Sequence, residues 1–521
     1  MNSSSTEKPP TRVRYVVLGV LCSLAFLTYF DRICISQMKE EISRDLNFTK
    51  LTEADEQKLQ SLNKQDDAEV RNQLADARAT QRMSYVFWAF ILGYAVFEIP
   101  GGWLGDMWGP RAVLFRIVVC WSLFTALTGS VEGITRWFAT SPTPWMFLAT
   151  MVGVRFVFGL GEAGAYPNVG RVLARWFPFR HRAGAQSFIW MSSRFGGAIS
   201  PIVITELSDV AGGWRQAFWV LGGLGVVWAF GFYYWFRDRP EEMRGVNPAE
   251  IDLIRSDSEP GSIHDETGHK NVPWKRLLLS RNLWALYVAS SCASFSWYFN
   301  VFYLAPYVKE AFHVEFKDSR WLSGSPLLVG GVTCLLGGWL SDTLVRRTGS
   351  KRWGRSLPGI VGFGMAGLIT LCVPTLGNYY LVIAAICLAC AFQDPAIPCI
   401  WTVSADIGER YAGTVAGCMN AAGGVGASLG LLLAPEFNLR YGWNTVFLVN
   451  GFVYLIGALA WIRVDASERL VPLACPALRS EDSASRPSSE PTASPSESSH
   501  PTAPTAPAAH QATADDPEGP R

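Results

Sequence analysis

The sequence predicts an all-α membrane protein: twelve transmembrane helices in two pseudo-symmetric halves of six. Three observations carry this expectation. Charged residues make up only 17% of the 521, against 49% hydrophobic, whereas soluble domains carry about 25% charge. The missing charge is withheld in blocks. Residues 216–236, 282–308, 321–341, 411–435 and 441–462 hold no Asp, Glu, Lys or Arg, and 356–393 is a longer uncharged run broken at Gly377-Asn378. A helix needs roughly 20 apolar residues to cross a bilayer, so these blocks read as spans. Finally, GGWLGD at 101–106 recurs as GGWLSD at 337–342, which makes the second half an echo of the first.

Taken in order, the spans fall near 13–36, 84–106, 111–131, 144–170, 182–208, 214–236, 282–308, 321–343, 356–376, 379–403, 411–434 and 442–463. The boundaries follow the turn residues and charges that flank each apolar run. Lys and Arg set the orientation. The short loops on one side carry Arg111, Arg116, Arg171, Arg175, Arg180, Arg182, Arg346, Arg347, Lys351, Arg352, Arg355 and Arg410. Those on the other side carry Arg136, Arg215, Lys309, Lys317, Arg320 and Arg440. Both termini are therefore expected in the cytoplasm of a cell-membrane protein. The organisation is then a cytoplasmic N-terminus (1–12), a six-helix half (13–236), a cytoplasmic linker (237–281), a second half (282–463) and a tail (464–521). The first half contains a long outer loop, 37–82, whose helix formers predict a solvated hairpin. The tail is rich in Ser, Pro, Ala and Thr, which predicts disorder.

Other classes are disfavoured by the same composition. A transmembrane barrel needs alternation rather than apolar runs. The net charge of +1 gives no basic bias toward nucleic acid. The Cys residues are scattered; Cys387 and Cys390 form a CxxC inside an apolar span with no partner ligands. The run 159–164 reads G-x-G-x-x-G, but a dinucleotide site needs a preceding strand, and close helix packing through small residues accounts for it better. No nucleophile–base set emerges, so an enzyme is not expected. Repeated halves with a site between them at mid-membrane are a known transporter plan.

The stretch 101–111, GGWLGDMWGPR, resembles the loop signature G-x-L-x-D-x-x-G-x-R of the major facilitator superfamily. Closer resemblance is to its anion:cation symporter family, which includes hexuronate, galactonate and phthalate-type permeases and vesicular glutamate and sialic acid transporters. The matching pieces are Tyr29-Phe30-Asp31-Arg32, Arg155 and Glu162 within RFVFGLGEAGAYPNVGRVLARWFP, the turn at 213–218 with Arg237-Asp238-Arg239-Pro240, and GCMNAAGG at 417–424. The resemblance implies the major facilitator fold, alternating access, and a small organic anion as cargo. This sequence departs at Glu98, where many bacterial members have Gln, in the seventh span, and in carrying Arg194.

Candidate residues follow from the cost of charge in a membrane. Arg32, Arg155 and Arg194 fall inside spans, where a cation costs about 2.5–3.5 kcal/mol and faces a cavity or a partner. A guanidinium grips a carboxylate with two parallel bonds, so all three are candidate anion ligands, with Arg155 the first choice. Arg155 and Glu162 stand seven apart, on one helical face, which predicts that they pair when the site is empty. Arg194 is equally suited to pair with a carboxylate across the bundle. Asp31 and Glu162 are the candidate proton carriers, selected by burial beside Arg and by the family pattern. Glu98 and Asp394 are further intramembrane acids, the latter read as structural beside Pro395. Tyr94, Asn300 and Asn420 are candidate partners for substrate hydroxyls. Asp106, Arg111 and Asp342 are candidate gating residues that latch helix ends on the cytoplasmic side.

The sequence is thus expected to encode a monomeric, proton-coupled symporter of a small organic anion such as a sugar acid. No cofactor or metal is expected, and Na+ stays open as an alternative coupling ion. The rival readings are an uncoupled facilitator or anion exchanger and, from another class, a transporter-like membrane sensor.

Overall fold

The computed structural model describes residues 9–61, 67–256, 272–312 and 316–470. Among them every regular element is helical. Twelve long helices dominate: α1 (Val13–Gln37), α2 (Ala68–Trp108), α3 (Pro110–Gly129), α4 (Pro144–Trp176), α5 (Arg182–Ala211) and α6 (Trp214–Trp235), then α7 (Arg281–Phe312), α8 (Phe316–Thr348), α9 (Lys351–Cys372), α10 (Tyr379–Gly408), α11 (Ala412–Tyr441) and α12 (Trp443–Arg463). Ten contain a described segment long and apolar enough to cross a membrane. Of the other two, α5 is rich in Ser and Gly and α7 in Ser and Tyr, and both contribute to the central cavity described below.

Local chemistry sets the helix ends. Asp67 accepts from the Val70 amide at 3.2 Å and starts α2. Gly109, at φ 84°, turns the chain into Pro110, the first residue of α3; only a residue without a Cβ adopts that conformation freely. Asn378 accepts from the Tyr380 amide at 2.8 Å and starts α10. Two helices are broken. In α4, Pro144–Glu162 and Ala165–Trp176 meet at Gly164, with φ 86°. A Cβ there would collide with the Gly101 backbone of α2, so Gly164 serves both the turn and the close approach. In α10, Asp394-Pro395 separates Tyr379–Gln393 from Ala396–Gly408.

The packing repeats between the halves. α1 packs along α5, α2 along α4 and α3 along α6; in the second half α7 packs along α11, α8 along α10 and α9 along α12. The halves meet through α2 against α11 and α5 against α8. Small residues set both seams. A Cβ on Gly102 would meet the Gly413 carbonyl of α11, and one on Gly338 would meet Ser187 of α5. The tryptophans Trp121, Trp176, Trp214 and Trp461 are fully buried within the bundle.

The segment 37–82 holds two short helices, Lys39–Asp45 and Glu53–Ser61, and then the first turns of α2, which run on into the bundle without a break. Arg78 of α2 holds Asp55 with bonds of 2.9 and 3.0 Å from Nε, and Thr52 caps the same carboxylate. These hydrogen bonds hold the Asp55 carboxyl well below the usual carboxylate range. The bond to Arg78 is the main cause. A carboxyl depressed on folding stabilises the structure above its unfolded pKa of about 3.9 and loses that contribution as pH falls toward its folded value. Helix Glu53–Ser61 is therefore expected to stay docked at pH 5 to 7 and to loosen only in stronger acid. Amide exchange of that helix against pH is the check; loosening already near pH 5 would contradict it.

At the opposite face, where α1 begins, the segment between the halves caps α1 from outside. Glu250, fully buried, accepts from the Val13 and Arg14 amides at 3.3 and 3.2 Å and pairs with the Arg14 guanidinium at 3.0 Å. Residues 257–271 of the linker and 471–521 of the tail lie outside the described residues, so the expectation of a disordered tail is not addressed.

Candidate functional site

Two adjoining cavities lie between the halves. Tyr29, Arg32, Trp297 and Tyr298 line both. The first continues along Val86, Phe90, Arg155 and Phe302. The second continues along Tyr94, Tyr166, Trp190, Arg194, Trp401 and Asn420.

Arg32 of α1 is the central cation. Its guanidinium lies 5.1 Å from the Tyr29 ring centre, 5.2 Å from Phe90 and 5.0 Å from Tyr94, a cage that favours a delocalised cation. It forms an ion pair with Glu162 of α4, whose side chain is 1% exposed. Glu162 lines neither cavity itself and meets them through Arg32. Its second oxygen, Oε2, has no hydrogen-bond partner among the described residues. The expected pairing of Glu162 with Arg155 is therefore not formed. Same-face spacing brings two residues of one helix near each other, but Arg32 reaches Glu162 from a different helix.

Arg155 lies deeper. Its guanidinium packs 4.7 Å from the Phe158 ring centre and 5.9 Å from Phe218. Its Nε and Nη2 are buried with no hydrogen-bond partner among the described residues. Asp31 is buried and lines neither cavity; with Glu162 it supplies the negative charge acting on Arg155. Arg194 of α5 pairs across the halves with Asp394 of α10, Nε to Oδ2 at 3.3 Å and Nη2 to Oδ1 at 3.0 Å. The break in α10 thus carries a charge partner as well as a kink.

Of the hydroxyl-binding candidates, Tyr94 and Asn420 line the second cavity, and the Asn420 amide donates to the Tyr94 hydroxyl at 2.9 Å. Asn300 lies off both linings, its amide 3.7 Å from Cys390 Sγ. Glu98, fully buried, accepts from Asn420 at 2.7 Å and from the Gly164 amide at 2.9 Å. It therefore ties the cavity wall to the break in α4, two residues beyond Glu162. Sequence reasoning left Tyr166 and Trp190 out. They stack with centres 4.8 Å apart and form an aromatic floor with Trp401. The only signal available to find them was position, Tyr166 just after a Gly-rich break and Trp190 four residues before Arg194.

The face where α1 begins is closed by two matching latches. Asp106, ending the first GGWLGD copy, accepts from the Thr414 amide at 2.8 Å and hydroxyl at 2.7 Å at the start of α11, and pairs with Arg171. Asp342, ending the second copy, accepts from the Gly184 amide at 2.8 Å at the start of α5 and pairs with Arg355 at 2.7 Å. Each carboxylate satisfies amides that a helix start leaves free and sits at the positive end of that helix. Both do so across the seam between halves. Arg111 acts within its own half: its guanidinium donates to the Tyr233 carbonyl at 2.6 and 3.0 Å, and its amide to Asp238 at 2.8 Å.

Matched helical halves around an internal charged cavity, latched at one face, define a multi-pass membrane transporter rather than an enzyme. Sequence comparison gives the family. The model of the Major Facilitator Superfamily matches residues 21–417 and, in a second match, 349–480, and the chain belongs to that superfamily. A probable sulfoacetate transporter of Cupriavidus necator is 30% identical, over 88% of this chain and 95% of that protein. A probable galactarate/D-glucarate transporter of Escherichia coli K12 is 27% identical, over 89% and 94%. The chloroplastic ascorbate transporter of Arabidopsis thaliana is 27% identical over 74% and 68%. Among solved structures, a proton:xylose symporter superposes with a TM-score of 0.60 at 15% identity, covering 86% of this chain and 94% of that one. The human organic anion transporter MFSD10 gives 0.59 at 13%, covering 87% and 100%. Both solved structures share the fold. The resemblance to major facilitator carriers of organic anions, read from the motifs, is borne out by these relatives.

Proposed function

We propose that the protein is a proton-coupled symporter of small organic anions, a sugar acid or a related carboxylate or sulfonate, in the cell membrane with both termini cytoplasmic. The observation that carries this reading is the Arg32–Glu162 ion pair at the cavity wall. The names of the relatives, sulfoacetate and galactarate/D-glucarate transporters among them, supply the cargo class. A substrate carboxylate entering the cavity competes with Glu162 for the Arg32 guanidinium. Once Arg32 turns to the substrate, Glu162 is a buried charge without its partner. That is costly in a poorly solvated site, so proton uptake by Glu162 accompanies anion binding. Coupling of this kind is reciprocal: the anion binds more tightly as pH falls, and the proton more tightly when the anion is present. Asp31, beside Arg155, is the second proton-carrying candidate. Tyr94 and Asn420 offer a hydroxyl and an amide to the substrate's hydroxyls.

Glu162→Gln mimics the protonated acid. In proteoliposomes this variant is expected to lose accumulation of labelled galactarate driven by a pH gradient, while keeping counterflow exchange of the same anion. Its binding should also lose most of the wild-type pH dependence. Gradient-driven accumulation that survives the substitution would favour the uncoupled exchanger. Absence of any anion uptake by the wild type would favour a sensor.

A further inference from the structure

We infer that the site is built for a dianion: a short molecule with two carboxylate or sulfonate groups, one held by Arg32 and the other by Arg194. The inference rests on the organic-anion reading and narrows it.

Both guanidiniums face the second cavity, from α1 and α5 respectively. The step between them is a single aromatic pair. Arg32 lies 5.1 Å from the Tyr29 ring centre and Arg194 lies 5.8 Å from that of Trp190, and the two rings meet edge to face at 6.2 Å. A small molecule can bridge that step, and among the described residues no acidic side chain is part of the lining between the two cations.

Each cation is paired in the empty site and can still serve a ligand. Arg194 gives Nε and Nη2 to Asp394, and these are its hydrogen bonds among the described residues, with Nη1 in neither. A guanidinium has five N–H groups in a fixed fork, so the edge away from Asp394 can serve a ligand without breaking that pair. Trp297 covers one face of the guanidinium at 3.4 Å from its ring centre. This stacking leaves in-plane approach as the open route, which suits a flat carboxylate. Arg32 pairs with Glu162 in the empty site and takes the ligand's other acid group in place of Glu162. A monoanion satisfies one of these forks and leaves the other with its protein partner alone. A dianion satisfies both, and it connects the N-terminal half to an ion pair that already spans the seam.

The test compares two probes with the same six-carbon polyol chain: galactarate, with two carboxylates, and galactonate, with one. Quenching of intrinsic tryptophan fluorescence reports binding, since Trp190, Trp297 and Trp401 line the cavity. Wild-type protein in detergent is expected to bind galactarate at least tenfold more tightly than galactonate. Arg194→Gln should abolish the preference, bringing the ratio of the two affinities to about one, with a larger loss for galactarate than for galactonate. Asp394→Asn is the companion variant, because it releases Arg194 from its partner; it should preserve or widen the preference for the dianion. Equal wild-type affinities, an equal loss of both probes in Arg194→Gln, or a preference that collapses in Asp394→Asn would each overturn the inference while leaving the organic-anion reading intact. If wild-type protein binds neither these two probes nor sulfoacetate, the organic-anion reading falls and this inference with it.

Discussion

Arg32→Lys is expected to weaken anion binding by one to two orders of magnitude and to remove nearly all counterflow exchange, although the positive charge remains. The guanidinium has three tasks that an ammonium cannot perform equally well. It pairs with Glu162 in the empty site, presents a planar fork to the carboxylate that takes the place of Glu162, and lies flat among the Tyr29, Phe90 and Tyr94 rings at 5.0–5.2 Å. Lysine is a point charge without a fork, so it cannot grip the substrate with two parallel bonds. A hydrogen bond to a charged group contributes about 1.5–3 kcal/mol, and loss of one such bond corresponds to roughly ten- to a hundredfold in affinity. Calorimetric titration of wild type and variant with galactarate gives the number directly. Near-normal binding in Arg32→Lys would remove Arg32 from the site and leave Arg155, the other cation lining the first cavity among the described residues, as the anion ligand there.

The sequence announced the bundle more clearly than the site, for identifiable reasons. Uncharged blocks mark most spans because a membrane leaves charge no other place to go. They do not mark α5, which carries Arg194 and several Ser within its length and is polar for that reason. The repeated Gly-Gly-Trp-Leu-x-Asp motif pointed to matching helix ends. Its two carboxylates, Asp106 and Asp342, do occupy matching places, each at the start of a helix in the opposite half. Which amides they would meet was not legible, because Thr414 lies 308 residues from Asp106. The same limit hid the ion pairs. Helical spacing relates Arg155 to Glu162 on one face, but it says nothing of Arg32, 130 residues from Glu162, or of Arg194, 200 residues from Asp394. The breaks in α4 and α10 were half visible: Gly-rich and Asp-Pro stretches signal trouble for a helix, and only the fold reveals that the interruptions place Glu162 and Asp394 against their cations.

Asp106→Asn is expected to open the face where α1 begins and to cut transport more severely than Asp342→Asn. Both residues are buried, and both hold the two halves together by capping a helix across the seam. Their contacts across the seam differ. Among the described residues Asp106 accepts from the Gly413 and Thr414 amides and from the Thr414 hydroxyl of the other half, whereas Asp342 accepts there from the Gly184 amide. The pairs with Arg171 and Arg355 each lie within one half and do not bear on the seam. Loss of a cap costs about 0.5–2 kcal/mol. Because the seam contacts exist only while the face is closed, their loss shifts the population toward the open form: by roughly tenfold or less for Asp342→Asn, and by more for Asp106→Asn, which loses more of them. Probes at the exposed Trp108 and Trp339, near the ends of α2 and α8, measure the separation of the halves at that face. The long-distance population should grow in both variants and should be larger in Asp106→Asn. Equal populations would mean that the two copies of the motif carry the same load, and unchanged distances in both would mean that other contacts keep this face shut.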